Sequence, residues 1–332
     1  MPDARVTIVV VPREQFNQAP VSLERIYTTT RAPFDLVYVD GNSPPPLRRY
    51  LADQAEARGF AVIRTEHYLT SNEARNIGLR HVRTPYVAFV DNDVLPEPAW
   101  LDALLGCADE TGAWAVGPVI HVGHDDERMV HGAGAAIRIV EAMGARHLSY
   151  TPRLSNVPLA RAGVLGRARC DLIKFYAMLV RRDVFDRIGS FDEAIRSVLE
   201  PADFALAVQR AGGIVYLEPS AVVTHTLPPP LPFSDVPFFL LRWSNAWLRA
   251  SVRRFAQKHD LPLGDPGLRN QYSWRSYHRR RALPPAVWTL LGARPLKYPA
   301  KAVDRVLFDG LLEHLVVPRL ERERAAAGLG RS

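Results

Sequence analysis

The alternation of apolar and helical segments in the first 228 residues is the feature that most constrains the fold. Short apolar, β-branched runs occur at Arg5–Val11, Phe34–Val39 and Ala61–Thr65, and segments of helical character lie between them. This alternation is typical of an α/β fold with helices on both faces of a mostly parallel sheet. The run Tyr86–Val90 has no polar interruption, which favours a central strand covered on both faces.

Helix signals support the same architecture. Leu47–Arg58 has helical character and is followed by Gly59, and Thr70 stands three residues before Glu73, the spacing of a capping box. Residues 121–168 are rich in Gly, His and Asp, and we expect mobile, substrate-facing loops there. A polar cluster in this region has no regular ligand spacing and indicates a loop: His121, His124, Asp125, Asp126 and His131.

A proline-rich run at 228–232 predicts a boundary, because proline can continue neither a helix nor a central strand. Beyond it, Val236–His259 and Ala300–Arg324 have the pattern of amphipathic helices. The sequence therefore predicts an α/β domain over residues 1–228 and a basic helical extension over 229–332. The extension would contact an acceptor or a membrane surface.

The extension is strongly basic, with 18 Arg and Lys against eight Asp and Glu. Such a local excess predicts an anionic partner, for which acidic phospholipid and a phosphorylated acceptor are both candidates; a solvated helical face is the alternative. The run Arg279–Arg281, beside Trp274 and Tyr277, suits a lipid headgroup layer. No nucleic-acid-binding motif accompanies the charge, so nucleic acid is not an expected partner.

Composition indicates a reducing compartment and no spanning segment. The two cysteines cannot form a disulfide framework. No run approaches the roughly 20 apolar residues that cross a bilayer, and the start of the chain resembles a strand more than a signal peptide. A cytoplasmic location is expected, and the protein could also contact the inner face of the membrane peripherally.

The strongest chemical signal is the triplet Asp91, Asn92 and Asp93, directly after the apolar run. Ligands of open α/β sheets bind beyond the carboxyl ends of the strands. Two carboxylates two residues apart can reach one hard divalent cation, Mg²⁺ or Mn²⁺, which would bridge them to a diphosphate. A polar turn is the alternative, since Asp and Asn favour turns.

Further elements accompany this triplet in a characteristic order. They are Val39-Asp40-Gly41-Asn42-Ser43, Ala74-Arg75-Asn76-Ile77-Gly78, Met178-Leu179-Val180-Arg181-Arg182, Gly189-Ser190-Phe191-Asp192-Glu193 and the segment Glu200–His225. With the triplet, they resemble the family 2 glycosyltransferases, whose fold is of the GT-A type. Residues 229–332 lie outside the resemblance.

The resemblance implies a metal-dependent enzyme that moves a sugar from a nucleoside diphosphate sugar to a hydroxyl acceptor in glycan or glycolipid assembly. UDP is the expected nucleotide, and the acceptor would be a glycan or a lipid-linked glycan. Asp40 would contact the nucleoside and Arg75 would lie near the nucleotide. The residues implied for the nucleotide sugar also include Asp91, Asn92 and Asp93, and those implied for the metal are Asp91, Asp93 and His225.

The chain departs from the family pattern where the resemblance implies a general base. Pro201 stands in place of the expected Asp, and proline cannot accept a proton. In an inverting transfer a neighbouring carboxylate must then take the proton of the acceptor hydroxyl, and Asp203 is preferred over Glu200. Both acids are explained equally well as residues that favour the first turn of a helix, without any catalytic role. A retaining mechanism and a catalytically silent nucleotide-sugar-binding homologue stay open.

Two other interpretations have less support. A nucleotidyltransferase would carry a Gly-rich basic loop after the first strand, and residues 11–15 are not Gly-rich. Phe239, Trp243 and Trp247 recur at helical spacing and favour a core position over a sugar-stacking platform.

Overall fold

The structure is a computed structural model that describes residues 4–123, 128–142, 144–225, 231–282 and 304–329. The side chains of residues 281, 282, 328 and 329 lie outside the description. His124, Asp125 and Asp126 of the predicted loop cluster also fall outside it, as does the side chain of Arg281.

The strands follow in chain order as β1 (Val6–Val11), β2 (Phe34–Gly41), β3 (Ala61–Thr65), β4 (Tyr86–Asp91), β5 (Val94–Pro96), β6 (Ala115–Val122), β7 (Met129–Gly132), β8 (Ala135–Ala142), β9 (Ala145–Pro152), β10 (Val157–Pro158), β11 (Ala168–Cys170), β12 (Ala177–Arg181) and β13 (Val215–His225).

The α-helices are α1 (Ala19–Thr29), α2 (Pro45–Arg58), α3 (Ser71–Leu79), α4 (Trp100–Thr111), α5 (Val184–Ile188), α6 (Glu200–Arg210), α7 (Val236–Arg242), α8 (Asn245–His259), α9 (Pro266–Ala282), α10 (Glu313–Leu315) and α11 (Val317–Leu329). A π-helix, Asp304–Leu312, precedes α10.

The central sheet confirms the predicted α/β architecture. Its strand order is β10-β7-β6-β12-β4-β1-β2-β3, and β3, β2, β1 and β4 run parallel. Strand β12 is antiparallel to both β4 and β6, whereas β13 continues the sheet in parallel with β6. The sheet is mostly parallel and is followed along the chain by helices, as the resemblance to enzymes of the GT-A fold implies.

Alternate side chains of the central strands enter two apolar layers, one on each face of the sheet. On β1, Val6, Ile8 and Val10 join one layer, whereas Val9 and Val11 join the other. All six residues of β1 are buried. Because both faces need apolar cover, the strand has no polar alternation, and this explains the continuous apolar runs in the sequence.

The end of α2 and the start of α3 lie at the capping residues that the sequence predicts. Thr70 and Glu73 form the expected capping box, in which the Thr70 amide donates to Glu73 Oε2 at 2.7 Å. Gly59 ends α2 with φ of 74°, a left-handed conformation that glycine adopts without strain. The assignment of Glu73 to helix capping is therefore confirmed.

The expectation of loops throughout 121–168 is wrong. The described residues of this region form the end of β6, then β7, the hairpin β8–β9, β10 and a short 3₁₀-helix, Leu159–Arg161. Ala135 and Ile137 of β8 point inward to an apolar cluster that also includes Leu206 of α6 and Phe255 of α8. The charged residues Arg138 and Glu141 of β8 take exposed positions, as a strand with one buried face allows.

Helices beyond the proline run share the core of the sheet domain. Phe238 and Leu241 of α7, Trp247 of α8 and Val317 of α11 belong to the apolar layer that contains β1. The boundary between 228 and 229 stays a prediction. Within the described ranges, no helix combines the length and the apolar character that a membrane crossing requires.

Candidate active site

The sheet brings the predicted polar residues to one edge. Asp40 and Asp91 end β2 and β4, which run parallel, and His225 ends β13. Helix α3 begins at Ser71 and α6 at Glu200. Carboxyl ends of parallel strands meet at a common edge, and this is where α/β proteins bind their ligands.

Asp40 is held at this edge by β3. Its Oδ2 lies 2.5 Å from Arg64 Nη1, and its Oδ1 accepts from the Ser43 amide at 2.9 Å. Arg64 and Asp40 are register partners of β3 and β2, so the sheet itself aligns the pair. The predicted nucleoside contact therefore includes an arginine that the sequence did not single out.

Asp91 points toward two arginines. Its Oδ2 lies 3.2 Å from Arg13 Nε and its Oδ1 lies 3.5 Å from Arg75 Nη2. Burial raises the pKa of Asp91 to about 6, although the charges of Arg13 and Arg75 act in the opposite direction. Arg13 follows β1 directly, and its position after a buried strand is the signal that could have identified it.

Arg75 is almost fully buried, and an aromatic ring and a side-chain amide hold its guanidinium next to Asp91. Its guanidinium lies 4.4 Å from the Phe175 ring, a cation–π distance, and donates to Asn72 Oδ1 at 3.2 Å. Burial lowers the pKa of Arg75 to about 10, with Asp91 and Glu200 opposing the shift. Arg75 thus meets Asp91, whereas its contact with a nucleotide stays a prediction.

Asp93 has different partners. Its Oδ2 lies 3.4 Å from His225 Nε2 and 3.5 Å from Gln15 Nε2. The His225 ring packs on Tyr176 with centroids 4.9 Å apart. Burial raises the pKa of Asp93, but the charge of His225, its hydrogen bond and the charge of Arg13 outweigh burial and leave that pKa below its usual range.

The three-ligand metal cluster expected from Asp91, Asp93 and His225 is not assembled. Among the residues that the structure describes, no three His, Cys, Asp or Glu side chains are arranged to hold a metal ion. Asp91 is turned to Arg13 instead. Asp93 and His225 do fit a shared divalent cation, because Mg²⁺ and Mn²⁺ complete their shell with water and phosphate oxygens.

Asn92 lies between the two carboxylates but faces the strands. It is fully buried; its side-chain Oδ1 accepts from the Arg13 backbone amide at 2.8 Å, and its backbone amide donates to the Val11 carbonyl at 3.0 Å. Asn92 thus ties the end of β4 to the end of β1 and places Arg13. A direct contact with nucleotide sugar stays a prediction.

The two candidate bases, Asp203 and Glu200, occupy different environments. Asp203 accepts from Lys258 Nζ and from His259 Nε2, both at 2.7 Å, so each oxygen serves the contact between α6 and α8. Glu200 lies at the start of α6, and its Oε1 is buried without a hydrogen-bond partner among the described residues. Glu200 also acts electrostatically on Arg13 and Arg75.

A cavity of about 640 Å³ opens beside Asp93 and His225. The strand domain contributes Arg13, Tyr176 and His131 to its wall, and α7 and α9 supply aromatic and polar side chains. The residues of the extension that line it are Leu231, Phe239, Trp243, Asn270, Ser273, Trp274, Tyr277, His278 and Arg280. Such a volume is typical of small-ligand sites.

Phe239 and Trp243 have the core position expected for them, in an apolar cluster with Leu240 and Phe308. They also lie on the cavity wall, whereas Trp247 is fully buried in the core. Arg242, also in α7, reaches into the site, with Nε 2.8 Å from Glu14 Oε2 and Nη1 3.1 Å from Ser71 Oγ. Helix spacing alone could not reveal which face of α7 meets the cavity.

Two arginines of the run predicted for a lipid headgroup layer are not at the surface, and peripheral membrane contact of the extension stays a prediction. Arg279 and Arg280 are both buried, so neither is available to a headgroup layer. These two residues are buried because α9 packs Arg279 against Asp309 of the π-helix and places Arg280 on the cavity wall.

A mostly parallel sheet with carboxylates, a histidine and arginines around a cavity at its strand ends defines an α/β protein that binds a ligand at this edge. The model of the glycosyl transferase family 2 matches residues 8–188, more than half of the chain. The chain belongs to that family.

Two curated relatives carry the name pre-mycofactocin glycosyltransferase and come from two strains of Mycobacterium tuberculosis. Each is 28% identical over 233 residues, which is 68% of this chain and 43% of the relative. The match thus spans less than half the length of these relatives.

A crystal structure of GalNAc-T7 with UDP, GalNAc and Mn²⁺ has a TM-score of 0.55 at 16% identity. The alignment covers 96% of this chain and 59% of GalNAc-T7. This likeness shows a shared fold.

Proposed function

We propose that this chain transfers a sugar from a nucleoside diphosphate sugar to a hydroxyl acceptor and that a divalent cation assists the transfer. One observation carries the proposal: Asp93 Oδ2 and His225 Nε2 meet at 3.4 Å on the wall of the cavity of about 640 Å³. Carboxylate and imidazole at a strand edge suit Mn²⁺ or Mg²⁺ and a diphosphate.

The relatives support the same class of reaction. The curated relatives are glycosyltransferases by name, and the GalNAc-T7 crystal holds UDP and Mn²⁺. UDP is accordingly the first nucleotide to test. Manganese is the first cation to test, and glycan or lipid-linked glycan assembly is the proposed setting.

The residues around the pair have separate tasks in this proposal. Asp40, fixed by Arg64, receives the nucleoside. Asp93 and His225 hold the cation, which when bound screens the diphosphate and stabilises the charge that develops on it. Arg13 lies on the cavity wall and neutralises Asp91, so that this carboxylate does not repel the leaving diphosphate.

Glu200 is the proposed general base for an inverting transfer. Pro201 cannot accept a proton, and both oxygens of Asp203 already accept from Lys258 and His259. Glu200 retains a buried oxygen without a hydrogen bond among the described residues and lies within the electrostatic reach of Arg13. Glu200 would take the proton of the acceptor hydroxyl while the oxygen of that hydroxyl attacks the sugar.

The test is a donor panel assayed for nucleotide release and for a glycosylated product. We expect Mn²⁺-dependent release of UDP from a UDP-sugar, with an acceptor extract increasing the rate, and loss of both activities in Asp93→Asn. Asp102→Asn, an exposed acid on α4, is the matched control.

Nucleotide binding without release from any donor would favour the silent homologue that Pro201 suggests. Equal release by wild type and Asp93→Asn would contradict the proposal.

A further inference from the structure

Neighbouring arginines on α9 have different surroundings. Arg279 lies 2.6 Å from Asp309 and 3.0 Å from Glu313, and its Nε donates to the Trp243 carbonyl at 2.6 Å. Arg275 lies 3.6 Å from Asp309. These two arginines therefore hold the π-helix and α10 against α9, a structural task that uses their charge.

Arg280 has no such acid. It lines the cavity with 9% of its surface exposed, and Nη1 donates to Ser276 Oγ at 3.1 Å. Asp304 meets that hydroxyl rather than the guanidinium. Among the described residues, no carboxylate lies within 4.0 Å of Arg280, and its Nε has no hydrogen-bond partner.

Residues 283–303, which follow α9 directly, contain no Asp or Glu. A buried guanidinium is costly unless an anion and further hydrogen bonds accompany it. Arg13, the other arginine on the cavity wall, already has its acid in Asp91. Arg280 is thus positioned for an anion that enters from the cavity.

Aromatic rings line the same cavity as Arg280. Trp243, Trp274 and Tyr277 line the cavity, and Trp243 stacks on His278 with centroids 4.0 Å apart and an interplanar angle of 12°. Stacked and partly apolar walls favour a flat or ring-bearing ligand. The proposed metal ligands Asp93 and His225 lie on the wall of the same cavity.

We propose that the acceptor carries an anionic group, a carboxylate or a phosphate, that Arg280 binds while a ring of the acceptor packs against Trp243 and Trp274. A guanidinium fork matches either anion through two parallel hydrogen bonds. This inference rests on the proposed function, because it assigns the cavity to the acceptor of the transfer.

The test compares three probes in the presence of UDP and Mn²⁺: phenyl β-glucoside, phenyl β-glucuronide and phenyl β-glucoside 6-phosphate. Binding is followed by quenching of tryptophan fluorescence. At least one anionic probe should bind about tenfold or more tightly than the neutral glucoside. The preferred anion identifies the source as carboxylate or phosphate.

Three variants separate recognition from folding. Arg280→Gln should remove the preference for the anion, and Arg280→Lys should retain part of it. Arg269→Gln, an exposed arginine on the same helix, should leave it unchanged. Melting temperatures show which variants are folded.

Wild type that binds the three probes equally, or binds none, would overturn the inference, as would an unchanged anion preference in folded Arg280→Gln. Affinity for UDP with Mn²⁺, measured separately by calorimetry, tests the proposed function alone. If the wild type lacks affinity for UDP with Mn²⁺, the proposed function is contradicted, whatever the probes show.

Discussion

At the scale of single residues, Arg13 and Arg75 decide how the paired carboxylates are used. Because both arginines meet Asp91, only Asp93 faces His225 and the cavity. Two acids separated by one residue therefore have pKa values shifted in opposite directions, upward for Asp91 and downward for Asp93. The sequence spacing predicts that both carboxylates reach the site, but their different partners come from other strands.

Lys174 offers a test of burial outside this site. Its Nζ donates to the His131 carbonyl at 3.0 Å, and burial lowers its pKa to about 8. The ordinary pKa of lysine is about 10.4, so the unfolded chain binds more protons between pH 8 and that value. Stability should therefore rise with pH through this window.

Replacing Lys174 with Met removes the buried charge. At pH 7 the variant should gain about 3 kcal/mol in free energy of unfolding, the equivalent of the pKa shift. Its stability should also lack the lysine-dependent rise between pH 8 and 10. Urea unfolding at pH 7 and pH 10 for both proteins is the measurement. Parallel pH dependences for the two proteins would show that Lys174 is not desolvated in the folded state.

At the scale of elements, the contact between α6 and α8 separates the two acids of α6. The pKa of Asp203 is below its usual range, because the hydrogen bonds and charges of His259 and Lys258 outweigh burial. The stabilisation is present above the ordinary pKa of about 3.9 and is lost as the pH falls through the folded value. Asp203 thus contributes to the stability of the fold, whereas Glu200 lies close enough to Arg13 and Arg75 to act on both electrostatically.

The matched variants Asp203→Asn and Glu200→Gln test this division. Asp203→Asn should lower the free energy of unfolding at pH 7 by about 1–3 kcal/mol, since it removes a charged hydrogen-bond acceptor. Its turnover should change little. Glu200→Gln should reduce turnover about 10²–10⁴-fold, the usual contribution of a general base, and leave nucleotide affinity intact. The comparison needs turnover, nucleotide affinity and urea unfolding for each.

The opposite pattern would return Asp203 to the role of base. Near-normal turnover in both variants would exclude both carboxylates and favour a retaining mechanism.

At the scale of the whole molecule, the extension beyond residue 228 completes the site. Sequence patterns were sufficient for the sheet, the capping box at Thr70 and the strand-end positions of Asp40, Asp91 and Asp93. Each of these depends on local periodicity or on neighbours along the chain. The roles of Arg280 and Arg242 depend on how α7 and α9 dock, and no local pattern encodes docking.

The basic charge of the extension illustrates the same limit. Its excess of arginine and lysine suggested a surface contact with lipid, but the structure pairs Arg279 with Asp309 and Glu313 and places Arg280 on the cavity wall. The net charge gives the excess of basic over acidic groups. Which basic groups are buried, and which acids they pair with, depends on the tertiary fold. Anion recognition is thus expected inside the molecule rather than over its surface.

Calorimetric titration of UDP tests the central claim most directly, because it requires neither the acceptor nor the sugar to be known. The titration compares Mn²⁺ with EDTA for wild type, Asp93→Ala and the control Asp102→Ala. Wild type and Asp102→Ala should bind UDP much more tightly with Mn²⁺, and Asp93→Ala should lose the metal-dependent part. Equal affinity with Mn²⁺ and with EDTA, in wild type and in Asp93→Ala alike, would contradict a metal-assisted nucleotide site at Asp93 and His225.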